Sequence, residues 1–198
     1  MKIGFLMASL DPIHIGHIAT VTKVLNEGLC DKVYVVPTVH NPWKEMPIGS
    51  FDERCDMVLK SLAWVSRVYP RKVYLERIEE ILTEPYYSCY SLQKLYKKYG
   101  QGRDGEKNEL FIIGGADTIN SVTKWMHYED MIKPYFKFIG FTRGDIEITN
   151  DEVEYKLVES DAADVSSTLV RELVKDGKCV FPYVTESIID DVVRIYGG

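Results

Sequence analysis

Apolar residues gather in short runs at 2–7 (KIGFLM), 32–37 (KVYVVP), 72–76 (KVYLE), 109–115 (ELFIIGG) and 135–142 (YFKFIGFT). Each has the length and near-continuous apolarity of a strand covered on both faces. Between the first four lie longer stretches with apolar residues at helical spacing, at 15–28, 51–65 and 90–99. Strand and helix alternate, which predicts an α/β fold: a Rossmann-like parallel sheet with helices on both faces. The tail from Ser166 (SSTLVRELVKDGKCVFPYVTESIIDDVVRIYGG) predicts a small C-terminal part of two short helices, parted by a turn near Gly177 and Pro182. In such sheets ligands lie beyond the carboxyl ends of the strands, where strand order reverses. The residues just after each apolar run are therefore the ones to inspect.

A chain of 198 residues with 45% hydrophobic content is expected to form a single domain over 1–198. The net charge of −6 is spread along the sequence without a basic stripe, which argues against nucleic acid as a partner. Any phosphate must be met locally. Asp11 and Pro12 cut off the N-terminal apolar run, and no stretch approaches the roughly 18 apolar residues of a membrane span. Cys30, Cys55, Cys89 and Cys179 form no CxxC pair, which suits reduced packing thiols in a cytoplasmic protein. Two loops are expected, at 39–50 and 100–108; the first carries Trp43 and Lys44 just beyond a strand end.

Three constellations carry chemistry. In ASLDPIHIGH (8–17) a strand gives way to a helix, and the free N–H groups of such a turn attract anions. His14 and His17, three apart, share one face of the first turn, where each could donate to a phosphate oxygen, bind a metal or pack; Gly16 would leave room for a ligand. In DVSSTLVREL (164–173), Ser166, Ser167 and Thr168 stand at a helix start with Arg171 one turn on. That suits a polyphosphate tail, because Arg offers a fixed fork to phosphate oxygens, and it equally suits an ordinary cap. In FIIGGADTINSVTKW (111–125), Gly114 and Gly115 would let a base or ribose lie on the backbone. Asp117 could accept from ribose hydroxyls or cap a helix, and Trp125 could stack on a ligand or fill the core.

SLDPIHIGH resembles the (G)xFDPxHxGH signature of the HxGH nucleotidyltransferases, and VSSTLVR resembles their ISSTxxR signature. Within that superfamily the middle of the chain is similar to the bacterial nicotinate mononucleotide adenylyltransferases. VVPTVHNPWK resembles their strand followed by N-P-P-H-K, and FDERCDMV their E-R-x-x-M helix. PYYSCYSL resembles their S-Y-T-x-x-T-L segment, and FIIGGADTINSVTKW their F-I-I-G-x-D…W segment. The likeness spans nearly the whole chain. It departs at Ala8 (usually Gly), Leu10 (Phe), Trp43 (His), Tyr86 (Ser) and Ser88 (Thr), and FTRGD lacks the usual proline.

The resemblance implies transfer of AMP from ATP to nicotinate mononucleotide, with Mg²⁺ accompanying ATP and no metal held by the protein itself. It implies His14, His17, Lys44 and Arg171 as catalytic residues. Ala8, Ser9, Leu10, His14, His17, Gly114, Asp117, Ser167, Thr168 and Arg171 would bind ATP; Ser9, Lys44, Tyr87, Ser88 and Trp125 would bind the mononucleotide. The expected partners are ATP and a pyridine mononucleotide, without nucleic acid or membrane, and a homo-oligomer is possible. The competing readings are nicotinamide mononucleotide or phosphopantetheine as acceptor, a catalytically silent nucleotide-binding regulator, and a metalloenzyme drawing on His40 or His127.

Overall fold

A computed structural model describes residues 1–42, 45–102, 105–142, 147–159 and 165–198. Among them six parallel strands form one sheet: β1 (Lys2–Ala8), β2 (Lys32–Pro37), β3 (Val73–Leu75), β4 (Glu109–Gly115), β5 (Phe136–Thr142) and β6 (Tyr155–Glu159), in the order β3-β2-β1-β4-β5-β6. The helices are α1 (Ile15–Asn26), α2 (Phe51–Val68), α3 (Ser88–Tyr99), α4 (Ala116–Ser121), α5 (Ser167–Lys175) and α6 (Ile189–Tyr196). The expected alternation is present, as are the two C-terminal helices. β6 is the strand the apolar runs do not reveal. At this edge Lys156 and Leu157 face solvent while Val158 is buried, so no continuous run marks it.

The central strands show a period of two. In β4, Leu110 and Ile112 point to one face, with Ile3 and Phe5 of β1 and Phe136 and Phe138 of β5; α3 covers that face through Leu92 and Leu95. Phe111 and Ile113 point to the other, with Leu6, Ile139 and Phe141, under α1, α2, α5 and α6. On α1, Ile18, Val21, Val24 and Leu25 supply the apolar stripe; burying each contributes about 1.5–3 kcal/mol. That helix stops at Gly28, whose φ of +63° starts a Schellman turn: Gly28 N–H donates to Leu25 O at 3.2 Å and Leu29 N–H to Val24 O at 3.1 Å. Ser50 and Glu53 close a reciprocal capping box at the start of α2.

β2 and β4 flank β1, and the chain runs outward from there in opposite directions. The carboxyl ends of β1 and β4 therefore open a crevice, the position at which doubly wound sheets bind ligands.

Candidate active site

The crevice is a cleft of about 1530 Å³, larger than the roughly 300–1,000 Å³ of a typical small-molecule site. Five stretches wall it, one of them the segment after β2 with Thr38, His40 and Ile48. After β1 come Ala8, Ser9, Leu10, Asp11 and His17; after β4, Gly114, Gly115 and Asp117, with Lys124 and Trp125 further on. Tyr86, Tyr87 and Ser88 enter from the start of α3, and Ser166, Ser167, Thr168 and Arg171 from α5. Residues as far apart as Ala8 and Arg171 thus meet in one space. Trp43 and Lys44 lie outside the described residues.

The two histidines are arranged differently from a pair on one helical face. His14 is the N-cap of α1 and His17 the third residue in; each closes on the other's backbone. Gly16 N–H donates to His14 Nδ1 at 3.2 Å and His14 N–H to His17 Nδ1 at 3.3 Å, with the ring centroids 3.8 Å apart. A ring that accepts at Nδ1 carries its neutral-state proton on Nε2, so each imidazole keeps an Nε2–H donor. His17 lines the cleft, whereas His14 is buried behind it. Gly16 does not leave room for a ligand: a Cβ there would meet the His14 ring at 3.1 Å and Val165 at 3.2 Å. Its small size admits the imidazole.

The glycines after β4 also differ from expectation. A Cβ on Gly114 would meet Thr118 at 2.5 Å, and one on Gly115 would meet the Asp117 carboxylate at 2.8 Å. They make space for the first turn of α4, and the cleft lies along the same backbone. Asp117 does not cap α4; the N-cap is Gly115, without a side-chain cap bond, and Asp117 stands exposed at the cleft wall. Trp125 is half-buried, with its inner side on the α3 face of the core.

The N-terminus of α5 is stitched to the β1–α1 turn. Ser166 caps the helix by accepting from Leu169 N–H at 3.1 Å, and Ser167 Oγ donates to Pro12 O at 2.8 Å. Arg171 donates through Nη1 to Asp11 O and through Nη2 to Thr168 Oγ1 at 3.2 Å. Two helix N-termini, each with a positive dipole end, therefore converge on one space.

Four residues that the sequence reading did not place in the site hold it together. Arg54, 1% exposed, donates from Nε to Gly49 O at 3.0 Å, from Nη1 to Ser9 O and to Thr38 O at 2.6 Å, and from Nη2 to Val39 O at 3.1 Å. It lies in the noted E-R-x-x-M stretch, but its partners are carbonyls. Burial pulls its guanidinium below the usual range, against the pull of nearby Asp11. Glu79 accepts from Val39 N–H at 2.7 Å and from Ser91 Oγ–H at 2.6 Å; burial pushes its carboxyl above the usual range despite both bonds. Asp11 accepts from Ile48 N–H at 3.0 Å, Gly49 N–H at 2.9 Å and Tyr196 O–H at 2.7 Å. Glu79 carried no motif, and Tyr196 lies in the C-terminal stretch FPYVTESIIDDVVRIYG, part of the likeness that spans the chain.

The crevice lies at the sheet's switch point, faced by two helix N-termini with His17 and Arg171, and the cytidylyltransferase-like family model matches residues 5–173, which makes this chain a nucleotidyltransferase of that family. A "Probable nicotinate-nucleotide adenylyltransferase" of Hydrogenobaculum sp. (strain Y04AAS1) is 33% identical over 199 residues, covering 98% of this chain and 96% of the relative. One of Thermotoga maritima is 26% identical, covering 100% and 93%. The solved Plasmodium falciparum nicotinic acid mononucleotide adenylyltransferase complexed with NaAD has the same fold, with a TM-score of 0.78 at 18% identity, covering 98% of this chain and 95% of that one. The chain belongs to the nicotinate-nucleotide adenylyltransferases.

Proposed function

We propose that the chain joins the AMP moiety of ATP to nicotinate mononucleotide, yielding deamido-NAD and pyrophosphate in NAD biosynthesis. The observation that carries this reading is the convergence of both helix N-termini on one cleft in a chain of this family. A 5′-phosphate oxygen of the mononucleotide attacks the α-phosphorus of ATP; the new O–P bond forms as the bond to the β-phosphate oxygen breaks, and pyrophosphate leaves with the electron pair. No protein nucleophile is needed, so the protein's share is positioning and charge stabilisation.

In this reading the His17 Nε2–H donates to the α-phosphate, and His14, packed against it at a tilt, fixes the His17 ring and the turn. Ser167, Thr168 and Arg171 receive the leaving pyrophosphate, and Lys44 the transferring phosphates. Ala8, Ser9, Leu10, Gly114 and Asp117 take the rest of ATP. Trp125 stacks on the pyridine, and Tyr87 and Ser88 face its acid group. Asp11, the one carboxylate inside the β1–α1 turn, is engaged by three donors, so magnesium would come in with ATP rather than on this carboxylate and would supply charge neutralisation at the phosphates. The reduced thiols suit a cytoplasmic location: Cys30, Cys55 and Cys89 are free and buried, and burial pushes Cys30 to about 12.

The test incubates pure protein with ATP and Mg²⁺ plus nicotinate or nicotinamide mononucleotide and follows pyrophosphate and dinucleotide. Strong preference for the nicotinate form supports the reading. Equal or reversed preference assigns the acceptor to nicotinamide mononucleotide, and silence with both overturns adenylyl transfer in favour of a regulator.

A further inference from the structure

The C-terminal helix reaches the centre of the site. Tyr196, 2% exposed, packs with the core beneath α5 and α6, and its hydroxyl donates to Asp11 Oδ1 at 2.7 Å across 185 residues. The same carboxyl oxygen accepts from Gly49 N–H and its twin from Ile48 N–H. Arg171 stands close by: its Nη1 donates to the Asp11 carbonyl and forms a long ion pair with Asp11 Oδ2 at 3.8 Å, outside hydrogen-bond reach. The Arg171 side chain is 24% exposed at the cleft. Asp11 therefore sits beside the arginine, yet its acceptor capacity is directed to three other donors.

We propose that Tyr196 is a positioning residue for nucleotide triphosphate binding: by anchoring Oδ1 it fixes the orientation of the Asp11 carboxylate, so that the ion pair of Oδ2 with Arg171 stays too long to hydrogen-bond and the guanidinium is left for phosphate. The inference rests on the adenylyl-transfer reading of the cleft for its meaning, though its geometry stands alone. A bidentate arginine–carboxylate pair is strong and competes directly with phosphate for the same fork. Where the carboxylate is already ringed by donors, that competition is weak. Burial and the bond to Asp11 both raise the Tyr196 hydroxyl above its usual range, so it remains a donor throughout the pH range of an assay. The spacing is tight as well: a Cβ on Gly49 would meet the Tyr196 hydroxyl oxygen at 2.8 Å. Tyr196 lies beyond residue 173, where the family model's match ends.

The decisive experiment measures MgATP binding by calorimetry and the KM of each substrate for wild type, Tyr196→Phe, Arg171→Ala and the double variant. Phenylalanine keeps the packed ring and removes only the donor. The expected result is a rise of about tenfold in the dissociation constant for MgATP in Tyr196→Phe, with KM for the mononucleotide within about twofold. Once Arg171 is alanine, removing the hydroxyl should weaken MgATP no further. Equal weakening in both arginine backgrounds, or parallel rises in KM for both substrates, assigns Tyr196 a merely structural role and overturns the proposal. If Tyr196→Phe does not accumulate, Gly49→Ala, which forces the hydroxyl off Asp11, is held to the same criteria. Because binding is read without turnover, an inactive wild type that still shows the Arg171-dependent effect would sink the adenylyl-transfer reading and keep this one.

Discussion

The two ends of the cleft are built by different means. At the phosphate end, the β1–α1 turn is tied by hydrogen bonds to α2 through Arg54, to α5 through Ser167 and Arg171, and to α6 through Tyr196. Nearly every tie ends on a backbone atom or on a buried charge. At the other end, Tyr87 begins α3 without a side-chain cap bond, and Trp125 follows a short turn closed by its N–H on Val122 O at 3.0 Å; both rings rest on the core of the α3 face. One end is braced for geometry, where a small displacement weakens transition-state stabilisation. The other is shaped by aromatic packing, which tolerates displacement and, in the proposed reading, would set which ring is accepted. Substitutions at the first end should strike kcat and stability, and at the second KM and acceptor choice.

The largest effect is expected from Arg54→Met. Methionine fills much of the volume but leaves four carbonyls from three loops without a donor and removes the cation between Asp11 and Glu79. The expected loss is about 3–5 kcal/mol of folding stability, read as a lower midpoint in urea, with Arg54→Lys recovering only part because one ammonium cannot span the fork. A midpoint near that of wild type would show that the brace is dispensable. His17→Ala and Arg171→Ala follow. A donor aimed at developing charge is worth roughly 3–4 kcal/mol, so each variant should lose about two to three orders of magnitude in kcat, with a smaller loss of stability than Arg54→Met because fewer buried bonds are broken. Near-normal turnover in both would end the assignment of the phosphate end.

That end was legible where side chains act locally and illegible where they act across the fold. ASLDPIHIGH and DVSSTLVREL each announce a helix start with polar side chains, and the cleft joins them. Arg54 was visible as a residue type, but its acceptors, carbonyls up to 45 positions away, have no sequence signature. The same holds for Tyr196. The glycines illustrate the same limit: the atoms nearest the missing Cβ of Gly16 belong to His14 and Val165, and those nearest that of Gly114 to Thr118, packing that no sequence pattern announces, although Gly114 also lines the cleft. Local patterning reveals β1 to β5, including the edge strand β3, and passes over β6, where Lys156 and Leu157 face solvent and break the apolar run.

Trp125→Ala sharpens the comparison from the other end. If the half-buried ring stacks on the pyridine as proposed, its loss should raise KM for the mononucleotide about tenfold, with KM for ATP and kcat within about threefold. A drop in kcat as large as that of His17→Ala would mean that both ends position the reacting atoms, and the division between them would fail.

The smallest effect concerns Glu79, beneath the segment Thr38–Val39 that leaves β2. Its carboxyl is raised by burial, and the bonds from Ser91 and Val39 only partly offset this. A raised folded-state value means that the native state holds the proton more tightly than the unfolded chain, whose Glu titrates near about 4.3. The stability conferred is therefore present below that value and is lost as pH climbs through the raised one. Glutamine can still accept the Val39 N–H and donate to Ser91 Oγ, but it does not ionise. Relative to wild type, Glu79→Gln should thus gain in melting temperature as pH rises from the unfolded value toward neutrality, and the gap should level off once wild-type Glu79 is ionised. A gap that is constant or narrows with pH would mean that Arg54 and the two donors outweigh burial, and that the loop is held by a carboxylate the fold prefers charged.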